Sequence, residues 1–279
     1  MNNQNTAHTK TIAVEKLTGG YPGNTVFHNA DISAKSGDIV VILGPNGSGK
    51  TTLLKTMLGL LKAFSGTTTL CNINTQLASP ERRAKIISWV PQLFEPTWAY
   101  SVYDIVSQGR FIHAGPWKQF SKSDKQAIHE ALSAMDLLEQ TEMPINELSG
   151  GQARRVLIAR ALAQETPIIA LDEPAAHLDP GRQMELMDIL KILAHDGKTI
   201  IISLHDVNLA YRIATQAVLI APDGNVLSGS PEIIFAPKNL EAVYDVEFFH
   251  GFDEYIGKFS LPVSRSKQNQ TNNKERNHD

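Results

Sequence analysis

The chain has 279 residues, and its composition, 42% hydrophobic and 20% charged, is typical of a globular protein and excludes a disordered or fibrous one. The formal net charge of −3 at pH 7 gives no overall attraction for nucleic acid. The single cysteine, Cys71, excludes an intrachain disulfide and favours a reducing compartment. Because the start is polar and no apolar run approaches the roughly 18 residues of a membrane span, we expect neither a secretory signal nor a chain that crosses a bilayer by itself.

Short apolar runs alternate with helical patterns along the chain. Buried parallel strands are predicted by four near-continuous apolar runs, at 39–43, 85–90, 167–172 and 199–203. Helix starts are predicted at Asp179, an N-cap followed by Pro180, and at Ser123, which has capping-box spacing to Gln126. Residues 94–153 have mostly helical and loop patterns, which predicts a helical subdomain inserted between two halves of the sheet. The alternation favours an α/β fold with a parallel sheet.

A glycine-rich loop follows the strand at 39–43 and matches G-x-x-x-x-G-K-[ST] at every fixed position. This pattern predicts a phosphate cradle, because glycines let backbone N–H groups turn toward a phosphate. The Lys50 ammonium is expected on the β/γ-phosphates and the Thr51 hydroxyl on Mg²⁺. The predicted nucleotide-binding residues of the loop are Gly44, Pro45, Asn46, Gly47, Ser48, Gly49, Lys50, Thr51 and Thr52.

Two adjacent carboxylates, Asp172 and Glu173, follow the predicted strand at 167–172. They therefore lie at the carboxyl end of a parallel strand, where ligands of α/β proteins bind. Asp172 suits the Mg²⁺ shell, and Glu173 suits a base for an attacking water. Since kinases, GTPases and motor ATPases share the cradle, these residues alone do not name the reaction.

A third motif, Leu148-Ser149-Gly150-Gly151-Gln152, precedes the acidic pair. By itself it predicts a helix with Ser149 as N-cap, and an exposed helix N-terminus with two glycines is also an anion site. LSGGQ, in this order between the cradle and the acidic pair, resembles the ATP-binding-cassette (ABC) ATPases. The resemblance covers nearly the whole ordered chain.

The resemblance implies a fold and a division of the chain. The fold is α/β, a P-loop NTPase (RecA-like) core with an antiparallel β subdomain and an inserted helical subdomain at about 94–153. The ATPase domain would span 11–235 and a small C-terminal extension 236–263. We expect the ends, 1–10 and 264–279, to be disordered, since they are mostly polar.

The resemblance also implies roles for single residues. Gln92 would contact Mg²⁺ and the attacking water, His205 the γ-phosphate, and Tyr21 the adenine ring. Without the resemblance these residues predict only a polar strand end, a structural histidine and a half-buried turn tyrosine. ATP would be held in a head-to-tail dimer, between the cradle of one subunit and the LSGGQ motif of a second. We call LSGGQ the signature motif. The residues implied to reach ATP from the second subunit are Ser149, Gly150, Gly151, Gln152 and Asp179.

Within the family, a single cassette without spans resembles a bacterial importer subunit. The segments 101–110, 204–210 and 237–244 resemble those of iron-chelate and cobalamin importers. The resemblance implies uptake of a ferric siderophore or haem, two transmembrane permease subunits, a substrate-binding protein and a peripheral position on the cytoplasmic face of the membrane. Cobalamin or zinc/manganese import are alternatives. A soluble ABC ATPase that acts on nucleic acid or ribosomes is disfavoured, since the chain has one cassette and no basic excess, so we expect no nucleic-acid partner.

Overall fold

The structure is a computed structural model that describes residues 10–92, 100–114, 119–176, 178–255 and 257–265. Its strands are β1 Lys10–Tyr21, β2 Asn24–Lys35, β3 Ile39–Leu43, β4 Ala63–Leu70, β5 Ile73–Asn74, β6 Ile87–Val90, β7 Ile168–Asp172, β8 Thr199–Ser203, β9 Gln216–Ile220, β10 Val226–Gly229, β11 Val246–Asp253 and β12 Gly257–Arg265. Its α-helices are α1 Lys50–Met57, α2 Pro80–Ala84, α3 Val102–Ser107, α4 Phe111–Ala114, α5 Lys122–Ala134, α6 Gly150–Ala163, α7 Pro180–His195, α8 Val207–Ile213, α9 Pro231–Ile234 and α10 Pro237–Tyr244. No helix within these ranges is both long enough and apolar enough to cross a membrane.

A six-stranded sheet in the order β10-β9-β3-β8-β7-β6 carries the site. Its strands pair in parallel except for β10, which is antiparallel to β9 at one edge. Every residue of β3, β7 and β8 is buried, as expected where both faces of a parallel sheet are covered. The four predicted strands are confirmed, and so is the α/β class. The carboxyl ends of β3, β7 and β8 meet at one edge, where the cradle and the acidic pair begin.

A second, antiparallel sheet in the order β2-β1-β4-β5 covers one side of this core. Its inward side chains, among them Ile12, Leu17 and Phe27, pack in one buried cluster with Leu53 of α1 and Val40 of β3. The antiparallel β layer that the family resemblance implies is therefore present. Helix α1 lies between the two sheets, so the cradle at its N-terminus is held from both sides.

Helices α3 to α6 lie between β6 and β7 in the chain, within the segment predicted to form a helical subdomain. Parts of that segment, 94–99 and 115–118, lie outside the described residues, and its limits stay a prediction. The predicted capping box at Ser123 is wrong. Ser121 caps α5, accepting from Asp124 N at 3.1 Å while Asp124 Oδ2 accepts from Ser121 N at 2.9 Å. Hydrogen bonds from Ser121, and then from Arg110, lower the pKa of Asp124 to about 2, so this cap stays ionised at neutral pH.

The C-terminal segment consists of α9, α10 and the hairpin of β11 and β12. The hairpin packs against α8, where Ser260 N donates to Asn208 Oδ1 at 2.8 Å. Three residues predicted to be disordered lie in strands. They are Lys10, the first residue of β1, and Ser264 and Arg265, the last two residues of β12. The rest of the predicted disordered ends, 1–9 and 266–279, lies outside the described residues.

Candidate active site

The loop from Gly44 to Gly49 joins the buried end of β3 to the start of α1. Its glycines are required by backbone shape, since Gly47 has φ +80° and Gly49 has φ +101°, which side chains rarely adopt. A Cβ at Gly49 would also collide with Val26. The first N–H groups of a helix have no partner within the helix, so the N-terminus of α1 beside this loop favours an anion.

The Lys50 ammonium is buried inside this loop. Its Nζ donates to the carbonyl oxygens of Gly44 and Pro45, each at 3.1 Å, and lies 3.3 Å from Glu173 Oε1. Burying a charge is costly unless it is paired and hydrogen-bonded. Lys50 is both, so the loop keeps its shape around a fixed positive charge.

Asp172, at the end of β7, is buried and held by two hydroxyl groups. Thr51 Oγ1 donates to Asp172 Oδ2 at 2.7 Å, and Ser203 Oγ donates to Asp172 Oδ1 at 2.6 Å. A hydroxyl and a carboxylate meeting at one point are hard oxygen ligands of the kind Mg²⁺ prefers. The Ser48 hydroxyl of the loop is buried without a hydrogen-bond partner among the described residues.

Glu173 has a left-handed backbone, with φ +44°, which is uncommon for a residue with a side chain. Its N–H donates to Ser203 Oγ at 2.8 Å. Its carboxylate lies between Lys50 and Gln92, whose Nε2 donates to Glu173 Oε2 at 2.8 Å. Strained backbone persists where the surrounding structure fixes it, and here those contacts hold the carboxylate over the cradle.

Gln92 is held in turn by Arg154, a buried arginine of α6. Arg154 Nη1 donates to Pro91 O at 2.6 Å and Nη2 donates to Gln92 O at 2.7 Å. Burial lowers the pKa of the Arg154 guanidinium, whereas the charges of Asp172 and Glu173 oppose that shift. The negative charges of these two acidic groups therefore favour the cationic form of the buried arginine.

Lys50, Gln92 and Glu173 open onto one cleft of about 690 Å³. Tyr21 stands at its rim with 47% of its surface exposed, and the exposed His205 lies at the start of the segment after β8. A cleft of this size suits a small-molecule ligand. Among the predicted site residues, the cleft brings together Tyr21, Asn46, Gly47, Gly49, Lys50, Thr51, Thr52, Gln92, Glu173 and His205.

The signature residues lie elsewhere on the surface. Ser149 caps α6, with its hydroxyl accepting from Gln152 N at 3.3 Å and its N–H donating to Gln152 Oε1 at 3.0 Å. Asp179 caps α7 by accepting from Arg182 N at 3.0 Å. Both helix starts are therefore where the sequence predicts them. Neither Ser149 nor Asp179 lines the cleft, so one chain does not bring the signature motif to its own cradle.

Two residues that hold the site were missed from the sequence. Ser203 lies opposite Asp172 in the register of β7 and β8, so only the strand order reveals it. Arg154 is a charge on the buried face of α6, four residues before Ile158. A cation on an apolar helix face was a signal that this arginine has buried partners.

The fold and the cleft define a P-loop nucleotide hydrolase, and comparisons with known proteins agree. A sequence model described as ABC transporter matches residues 27–176. The achromobactin transport ATP-binding protein CbrD of Dickeya dadantii is 35% identical over 247 residues, covering 86% of this chain and 92% of that protein. The iron(3+)-hydroxamate import ATP-binding protein FhuC of Bacillus subtilis is 32% identical over 238 residues, covering 85% and 88%.

Solved structures give the same relationship. An inward-facing metal-chelate type ABC transporter superposes with a TM-score of 0.81 at 31% identity, covering 93% of this chain and 99% of that one. A dimeric ATP-binding cassette with bound ADP and phosphate superposes with a TM-score of 0.70 at 29% identity, covering 79% and 98%. The chain belongs to the ABC transporter family. It binds and hydrolyses ATP.

Proposed function

We propose that this chain is the ATP-hydrolysing motor subunit of a bacterial importer for an iron chelate, a ferric siderophore or haem. The observation that carries the motor role is the Glu173 carboxylate, held by Lys50 and Gln92 over the phosphate cradle. The cargo is supported by the names of the relatives, which transport achromobactin and iron(3+)-hydroxamate.

The predicted site residues have separate chemical tasks in this proposal. Lys50 and the loop N–H groups bind the β- and γ-phosphates, and Tyr21 stacks on adenine. Glu173 accepts a proton from the attacking water, and His205 contacts the γ-phosphate. Thr51, Gln92 and Asp172 would hold Mg²⁺, which supplies positive charge to the phosphate oxygens when bound. Since Gln92 already contacts Glu173, it can orient water and base together.

Two copies of the chain complete two such sites. Ser149 and Gly150 are exposed at the start of α6, where a helix N-terminus favours an anion. In a head-to-tail dimer, Ser149, Gly150, Gly151 and Gln152 would contact the nucleotide held by the partner's cradle, with Asp179 beside them. ATP then closes the dimer because it binds both faces at once, and its hydrolysis releases them.

A separate groove is suited to the membrane partner. It has a volume of about 460 Å³ and is lined in part by Leu60, Trp89 and Phe111. Leu60 and Phe111 are 53% and 40% exposed, an arrangement typical of a protein-binding surface. Trp89 lies on β6, the strand that leads directly to Gln92. A permease segment bound here would therefore contact the strand that positions the Gln92 amide.

We expect Leu60→Asp to weaken binding to the permease by about tenfold or more, because a charge replaces an exposed apolar contact at the groove. Since Leu60 does not line the cleft, ATP affinity should stay unchanged. Co-purification of the chain with its membrane complex measures the first effect and equilibrium ATP binding the second.

Leu227→Asp is the matched control. Leu227 is 44% exposed and does not line the groove, so membrane binding should be retained. Equal retention of the Leu60 and Leu227 variants on the membrane complex would exclude this groove as the docking surface.

The location and the remaining partners follow from the motor role. A chain that drives a permease and consumes ATP acts at the cytoplasmic face of the membrane as a peripheral subunit. Its cargo would reach the permease through a substrate-binding protein, so the cassette itself need not contact the chelate. The work of this chain is the ATP-driven closing and opening of the dimer.

Uptake in the source cell lacking this chain tests both the motor and the cargo. Wild type should restore accumulation of radiolabelled iron chelates, whereas Glu173→Gln should not. Labelled cobalamin is offered in parallel. Loss of cobalamin uptake alone would keep the motor and refute the iron cargo, and unchanged uptake of both would refute the iron-chelate proposal.

A further inference from the structure

Arg154 connects α6, the helix that begins with the signature motif, to the Glu173 carboxylate through a series of short hydrogen bonds. Its guanidinium reaches the carbonyl oxygens of Pro91 and Gln92 at 2.6 and 2.7 Å. The Gln92 amide then donates to Glu173 Oε2 at 2.8 Å. Arg154 is buried and does not line the cleft, so its hydrogen bonds reach the carboxylate only by way of Gln92.

The geometry of these contacts explains why an arginine is needed. The planar guanidinium offers two parallel donors in a fixed fork, and here each donor takes one of two successive carbonyl groups. This fixes the peptide units on both sides of the Gln92 Cα, from which the Gln92 side chain extends to Glu173. A lysine ammonium is a single point donor and cannot hold both peptide units in the same way.

We propose that Arg154 is a positioning residue for ATP hydrolysis, which sets the backbone of Gln92 and so the orientation of the Glu173 carboxylate. Arg154 lies in the first turns of α6, the helix that Ser149 caps. A shift of this helix therefore moves the Gln92 carbonyl group and changes the hydrogen bond from the Gln92 amide to Glu173. The inference rests on the proposed role of Glu173 as the base.

The test is ATP turnover by the assembled transporter carrying Arg154→Gln, which shortens the fork to one donor group. We expect kcat to fall about ten- to a hundredfold, because small displacements of a catalytic group have effects of this size. KM and the affinity for a non-hydrolysable ATP analogue should change less than about twofold, since Arg154 is not in the binding cleft. The kcat of Arg154→Lys should lie between that of wild type and that of Arg154→Gln.

A double-mutant cycle with Gln92→Ala separates positioning from a general structural effect. If Arg154 acts through the Gln92 amide, Arg154→Gln should lower kcat no further once that amide is removed. The matched control is Arg155→Gln, because Arg155 lies on the same helix, donates to Met135 O at 3.2 Å and lines neither the cleft nor the groove proposed for the permease. Its turnover should stay close to that of wild type.

Two outcomes would contradict the proposal. Wild-type kcat in Arg154→Gln, or an equal further loss in the Gln92→Ala background, overturns the positioning role. Thermal unfolding identifies a variant that fails to fold, in which case Arg154→Lys and its cycle with Gln92→Ala carry the test. Glu173→Gln is measured beside them, and if it keeps full turnover, the proposed base is wrong whatever Arg154 does.

Discussion

Glu173→Gln is expected to reduce ATP turnover by about a hundredfold or more, because an amide cannot accept the proton of the attacking water. The change preserves size and leaves a side-chain oxygen that can still accept from Gln92 Nε2, now 2.8 Å from Glu173 Oε2. It also removes a negative charge 3.3 Å from the Lys50 ammonium. Lys50 then attracts phosphate oxygens without competition from that charge, so ATP affinity should be retained or raised.

The same variant should accumulate as an ATP-bound dimer, since closure needs binding but opening needs hydrolysis. Size-exclusion chromatography with and without ATP measures the dimer, and phosphate release measures turnover. Glu232→Gln serves as the control, because Glu232 makes a surface pair with Lys258 at 3.0 Å and does not line the cleft. Wild-type turnover by Glu173→Gln would assign the base to another group.

Much of the candidate site could be predicted because many of its residues fall in short local motifs. The cradle from Gly44 to Thr51 is a local motif, whose glycine positions are fixed by backbone shape and not by distant contacts. The helix starts at Ser149 and Asp179 follow from capping, which is also local. Continuous apolar runs were enough to predict the central strands, since parallel strands are buried on both faces.

The remaining features depend on which parts of the chain meet. Ser203 holds both Asp172 and the Glu173 N–H, but its role requires that β8 lie beside β7. Arg154 reaches carbonyl groups more than sixty residues away in sequence, and no local pattern specifies that contact. The capping box was misplaced because Ser121 and Ser123 both fit the local pattern, and the pairing of Asp124 with Arg110 at 2.9 Å supports the former.

The position of the signature motif has a direct consequence for assembly. Ser149 does not line the cleft that contains Lys50, although both are predicted to contact the same nucleotide. A site built from two copies reconciles these facts, and it makes the function of each copy depend on the other. Defects in the two halves should then complement each other when they lie on different chains.

We expect Lys50→Ala and Ser149→Arg each to abolish turnover when both copies carry the same change, since every site then has one defective half. Lys50→Ala removes the buried cation of the cradle, and Ser149→Arg places a long side chain at an exposed helix N-terminus that should receive phosphate. In the mixed dimer, one site combines two intact halves and the other two defective halves. Its turnover should be about half that of wild type if the sites act independently.

Two different affinity tags on the co-expressed chains isolate the mixed dimer, and phosphate release measures its turnover. The control places both changes on one chain and pairs it with wild type, so that each site has one defective half and turnover should be abolished. A site contained within one chain gives the opposite pattern: the two single variants stay inactive together, whereas wild type keeps half its activity beside the doubly altered chain. The two arrangements of the same two substitutions therefore distinguish a shared site from a self-contained one, with no assumption about the cargo.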